Sequence, residues 1–142
     1  MLLGFKKRFK EPILFYSKVF TIRKRRKKQP KIGETIHMYT ALRTKHCELI
    51  SNKEKLKSIQ NVRITIDKHP IEFRTGTGVG YNIRVIVDGR SLFGQELEEF
   101  YTFDGFKNYQ DWAEYWLTDE KGKKKSRTGA LMQLFHWTDL KY

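Results

Sequence analysis

The sequence predicts an α+β domain built on a mostly antiparallel, curved sheet, and three observations carry that expectation. Val62-Arg63-Ile64-Thr65-Ile66-Asp67 alternates strictly between apolar and polar residues, the period of a half-buried strand. Asp88-Gly89 lies between two strand-like runs and has the chemistry of a two-residue hairpin turn. Strands and helices also follow one another without the regular alternation that parallel βαβ units require.

Taken in order, the chain opens on Met1-Leu2-Leu3-Gly4-Phe5, too short for the apolar region of a signal peptide and with its charges after it. Phe5, Phe9, Ile13 and Tyr16 recur at roughly helical spacing among Lys6, Lys7, Arg8 and Lys10. Pro12 favours a short helix starting near it after a basic lead-in. A membrane-surface segment has the same spacing, but the strand start at Thr21-Ile22-Arg23 follows at once and favours packing on the domain. Pro30 and Gly33 mark a turn. Thr35 to Thr40 alternates as a strand, Arg43 to Cys47 is a polar basic turn, and Glu48-Leu49-Ile50 resumes the apolar signal. Lys53 to Lys57 reads as a loop.

After Val62–Asp67, His69-Pro70 is expected to end the strand. Gly76-Thr77-Gly78-Val79-Gly80 is expected to be a flexible hairpin loop; a phosphate cradle would need a helix after it, and Ile83 to Val87 is a strand. Beyond Asp88-Gly89, Glu96 to Phe100 begins a short helical stretch that stops near Asp104-Gly105-Phe106. Asn108 is placed to cap a helix over Tyr109 to Thr118, with Trp112, Tyr115 and Trp116 on one face, read as core. Lys121, Lys123, Lys124, Lys125 and Arg127 form a second basic loop, and Leu131 to Trp137 closes the sheet. With 142 residues, no repeat and no linker, positions 1–142 are expected to form a single domain.

Charge narrows the partners. Lys and Arg number 29 against 16 Asp and Glu, a net charge of +13, and such a surplus attracts polyanions. Nucleic acid is the expected partner, with an anionic membrane surface as the alternative. Five consecutive cations, Lys24, Arg25, Arg26, Lys27 and Lys28, repel one another and are expected in an exposed loop that contacts phosphate. The single Cys47 excludes an intramolecular disulfide framework, and the four His lack paired metal spacing, so no metal and no cofactor are expected. No run approaches the length of a membrane helix, and the chain reads as cytoplasmic. Oligomeric state cannot be read from the sequence.

The densest chemistry lies just before the basic run. Lys18, Thr21 and Arg23 form a Lys-x-x-Thr-x-Arg pattern that gathers an ammonium, a hydroxyl and a guanidinium over a short span. Together with Ile13-Leu14 ahead of it, this pattern resembles the signature of the ASCH domains of the PUA-like superfamily. The strand His37-Met38-Tyr39 running into Arg43-Thr44-Lys45-x-Cys47 resembles a second block of phage and bacterial members. Asp104-Gly105-Phe106, the Trp-bearing helix and Phe135-His136-Trp137-Thr138 resemble a third. The likeness spans nearly the whole chain, in order.

The resemblance implies a mixed, mostly antiparallel β-barrel flanked by two or three helices, with a cleft lined by the Lys-x-x-Thr-x-Arg segment. It also implies two alternative functions. One is an RNA- or single-strand-binding module in which Arg23, Tyr39, Arg43 and Lys45 join residues 24–28 around a basic cleft. The other is an amidohydrolase acting on an acylated nucleobase or a modified nucleoside such as N4-acetylcytidine. Lys18 and Thr21 match two members of that catalytic set; Asp104 is the nearest match to the acid, which is Glu in the enzymes. Thr21 would then be the nucleophile or hold the attacking water, Lys18 the base, and Asp104 the proton carrier at the leaving amine. A Lys18–Asp104 ion pair of purely structural value is the plain alternative.

Overall fold

The computed structural model describes residues 1–118 and 129–142. The basic loop expected at 121–127 lies outside them. Among the described residues there are three α-helices and two sheets. The smaller sheet has the order β1-β3-β4, from β1 (Leu2–Phe5), β3 (His37–Thr40) and β4 (Glu48–Ser51). The larger has the order β2-β8-β5-β6-β7 and is antiparallel throughout. Its strands are β2 (Phe20–Lys24), β5 (Ser58–Phe73), β6 (Gly76–Val87), β7 (Arg90–Ser91) and β8 (Leu131–His136). Among the described residues the one parallel strand pair is β1 with β3, where Gly4 faces Tyr39. The α+β class and the mostly antiparallel sheets therefore match the expectation.

The buried runs of β2 and β8 follow from their place in the middle of the molecule. Directly opposed residues of an antiparallel sheet share a face, so Phe20, His136 and Ser58 form one row across β2, β8 and β5. That face meets α2 (Gly94–Phe103) and α3 (Tyr109–Leu117), with the Phe20 and Phe100 rings 5.0 Å apart. The opposite face meets the smaller sheet, where Phe5 lies edge-on to Trp137 at 6.2 Å. Strands covered on both faces lose alternation and read as near-continuous apolar runs, as Met132–Trp137 does apart from the buried Gln133 and His136.

Local chemistry explains several ends. Asp88 and Gly89 have φ of +47° and +83°, the left-handed pair that a tight hairpin turn demands. Asn108 caps α3, its Oδ1 accepting from the Asp111 N–H at 2.9 Å. Trp112 and Trp116 pack at 5.9 Å and are buried, as their i, i+4 spacing predicts. The first helix, α1 (Lys10–Leu14), follows a 3₁₀ turn over Lys7–Phe9 and begins two residues before Pro12.

Two expectations need correction. The strand does not end at His69-Pro70 but runs to Phe73, and Gly76–Gly80 is not a loop but the start of β6. The chain reverses at Arg74-Thr75 instead. Among the described residues β8 pairs with β5 only as far as Arg63, so Pro70 lies on an edge where its missing N–H breaks no ladder bond. The glycines make room for β5 side chains: a Cβ at Gly78 would come within 2.4 Å of the Phe73 ring, and one at Gly80 within 2.4 Å of Ile71.

Candidate functional site

The end of α2 brings the predicted site residues together. Asp104 is the C-cap and Gly105 follows with φ +91°. The Gly105 N–H donates to the Thr102 carbonyl and the Phe106 N–H to the Tyr101 carbonyl, the paired bonds of a Schellman turn. Asp-Gly-Phe is thus a helix stop that turns the Asp104 side chain inward. The chain just before β2 is stitched to it: the Val19 N–H donates to the Phe103 carbonyl at 2.9 Å, and Lys18 forms an isolated β-bridge with Asp104.

Lys18 Nζ donates to Asp104 Oδ1 and to the Asp104 carbonyl, both at 2.6 Å. Trp112 Nε1 donates to Asp104 Oδ2 at 3.0 Å, so both carboxyl oxygens are engaged. The ammonium lies 4.7 Å from the centroid of the Phe9 ring and 6.0 Å from that of Phe5. Lys18 and Asp104 are 2% and 3% exposed, which decides their electrostatics. Burial outweighs their mutual attraction, holding Lys18 below the ordinary ammonium range and Asp104 above the carboxylate range. Arg23 pushes Lys18 further down. Burial thus draws both groups toward their neutral forms, while the 2.6 Å contact between them opposes it.

Thr21 is also buried, and its Oγ1 accepts from Arg23 Nε at 3.2 Å. The Arg23 guanidinium lies 5.0 Å from the Phe5 centroid and donates to the Gly4 carbonyl at 2.6 Å. Phe5 therefore carries Lys18 and Arg23 on one ring, and the four predicted residues Lys18, Thr21, Arg23 and Asp104 form one cluster. A cavity of about 640 Å³ adjoins it through Ser17 and Gly105, and is also lined by Arg8, Thr102, Lys107 and Asp111.

The other predicted residues sit on the surface beyond it. Lys24, Arg25, Lys27 and Lys28 are exposed, and none of them enters an ion pair among the described residues. Arg26 differs: it is half-buried, donates to the Leu2 carbonyl at 2.8 Å and serves the fold. Tyr39 is half-buried opposite Gly4, so β1 brings Arg23 and Tyr39 to one glycine. Leu42 fills the space a Gly4 side chain would need. Arg43 follows, exposed and left-handed at φ +67° in a loop braced by the Thr44 hydroxyl on the Ala41 carbonyl. Lys45 is exposed on the same loop.

Sequence reading missed four contributors. Trp112 was assigned to the core alone, yet its indole N–H holds the acid; Phe5 and Phe9 supply the ring faces; Gly105 admits the Lys18 stem, since a Cβ there would lie 3.1 Å from Lys18 Cδ. The signal for Gly105 and Trp112 was the Asp-Gly-Phe stop followed by a Trp one helical turn into α3. Nothing local marked Phe5 or Phe9.

Comparison of the chain with protein-family profiles, curated proteins and solved structures finds no match.

Proposed function

We propose that this domain is a nucleic-acid-binding module of the ASCH kind, holding single-stranded RNA across the surface where β2 leaves the sheet. In this reading the two packed sheets are the two sides of a small PUA-like barrel. The carrying observation is that the exposed cations Lys24, Arg25, Lys27 and Lys28 enter no ion pair among the described residues and follow Arg23, which shares Gly4 with Tyr39. Unpaired cations are free to displace condensed counterions from phosphates, and a neighbouring ring can take a splayed base. The test is a titration of the full chain with single-stranded RNA at about 50 and 200 mM salt, the range over which several phosphate contacts become visible. The reading expects binding at the lower salt that weakens steeply at the higher; absence of binding at the lower salt contradicts it.

A second reading, hydrolysis of an acylated nucleoside, is favoured by one specific observation. Lys18 is a buried amine with a depressed pKa against an acid whose pKa is raised, the pairing a proton relay needs. Neutral Lys18 would take the proton of the Thr21 hydroxyl or of a water; attack on the acetyl carbon would break its bond to the base amine, Asp104 would give that amine a proton, and where Thr21 attacks, a water would then cleave the acetyl-Thr21 ester to acetate. Incubation with N4-acetylcytidine tests it: release of cytidine and acetate supports the relay, and unchanged substrate leaves Lys18–Asp104 a structural pair.

A further inference from the structure

The glycine-rich stretch finds its use in the arm formed by the outer halves of β5 and β6. Past Ile66 and Ile83 the two strands leave the core and continue as a two-stranded ribbon to the turn at Arg74-Thr75. One face of the ribbon leans on α3, where Lys68 and Tyr81 both bond Glu114. Among the described residues the opposite face makes no such bonds to a helix. At its root stand Arg63 and Arg84, both exposed; at its tip Phe73 is 59% exposed. The ring of Phe73 lies across Gly78, and the side chains of Ile71 and His69 lie across Gly80. Three glycines opposite three side chains thus make a flat bed for an aromatic ring held in solvent.

We propose that this outer face of the β5–β6 arm extends the RNA surface and that Phe73 stacks on an unpaired base. The inference rests on the nucleic-acid reading above and names a second, separate part of the chain that carries it. The charge is complementary: Arg63, Arg84 and the tip residue Arg74 make no ion pair among the described residues, against one acid, Asp67, on the same face. From Arg63 to Phe73 the strand covers about 33 Å at roughly 3.3 Å per residue, long enough to follow several nucleotides. Single strands suit the arrangement better than duplex, because an exposed ring beside cations is the stacking platform on which every base has a face to offer.

The experiment compares the full-length chain with Phe73→Ala, Arg74→Ala and Gly78→Val in titrations against single-stranded RNA at low salt. Phe73→Ala is expected to weaken binding about tenfold with an unchanged salt slope, since a stacked base is lost and no phosphate contact is. Arg74→Ala is expected to weaken binding less and to flatten the slope by about one unit. Gly78→Val expels the ring from its bed and should reproduce part of the Phe73→Ala loss. Thermal unfolding monitors the fold, which an exposed tip residue should leave unchanged. Wild-type affinity in the Phe73 variant overturns the inference, as does a change of oligomeric state in that variant without loss of RNA affinity, which would assign the ring to self-association. No binding by the wild-type chain overturns the nucleic-acid reading itself, and this inference with it.

Discussion

Lys18 and Lys24 are separated by one short strand and have opposite fates. Lys18 is sealed inside, with an acid and two aromatic ring faces at its terminal nitrogen. Lys24 ends the same strand in water, with no ion-pair partner among the described residues. An interior charge costs several kcal/mol to desolvate and must be matched atom for atom, so it shapes the fold. An exterior charge is solvated already, carries little stability and is free for a partner. The lesson is that a single basic stretch, 18–28, divides into a part that fixes the architecture and a part left in solvent, where the proposed RNA would bind.

The largest break in this comparison comes from removing one member of the interior pair. Lys18→Ala is expected to destabilise the fold by about 3–5 kcal/mol, because Asp104 and the Trp112 N–H remain buried around the gap. Chemical denaturation measures this. The double variant Lys18→Met with Asp104→Leu should recover part of the loss, since apolar residues of like volume replace a buried pair at little cost while the Trp112 N–H loses its acceptor.

Next in size is His136, in the row between Phe20 and Ser58, with neither ring nitrogen hydrogen-bonded. Burial, aided by Lys141 and opposed by Asp88, lowers its pKa to about 4. The unfolded chain takes up a proton near pH 6.5 while the fold refuses it until about 4, so stability falls as pH drops through that window. The loss attributable to this group is about 3 kcal/mol. Subtracting the pH profile of a His136→Leu variant from that of the wild type isolates it; parallel profiles would contradict the assignment. Smaller again is Gly105→Ala, which forces a side chain into a φ of +91° against Lys18 and Phe9 and should cost about 1–3 kcal/mol in the same denaturation assay.

What the sequence made legible was local. The alternation of Val62–Asp67, the Asp88-Gly89 turn, the Asn108 cap and the two tryptophans of α3 are each set by neighbours a few residues away. What it hid was set at long range. Strand β1 has four residues and exists through its parallel register with β3, which no periodicity in Leu2–Phe5 announces. The arm continues past Pro70 because β8 is absent from that edge, and its glycines answer side chains on the facing strand. In the site, Lys18 and Asp104 lie 86 positions apart, and their pairing was suggested by a resemblance and not by spacing. Arg26 looked like its four neighbours in the cationic run, yet only the return of β1 beside it gives it a carbonyl to bond.

The exterior half of the comparison is tested most directly by changing Lys24, Arg25 and Lys27 together to Ala and measuring RNA affinity against salt. Three lost phosphate contacts should flatten the slope of log K on log salt by about two units and weaken all single-stranded sequences alike. Thermal stability should stay within about 0.5 kcal/mol of the wild type, as expected for exposed cations. An unchanged slope, or a collapse of stability comparable with that of Lys18→Ala, would contradict the division of this basic stretch into a structural and a ligand-facing part.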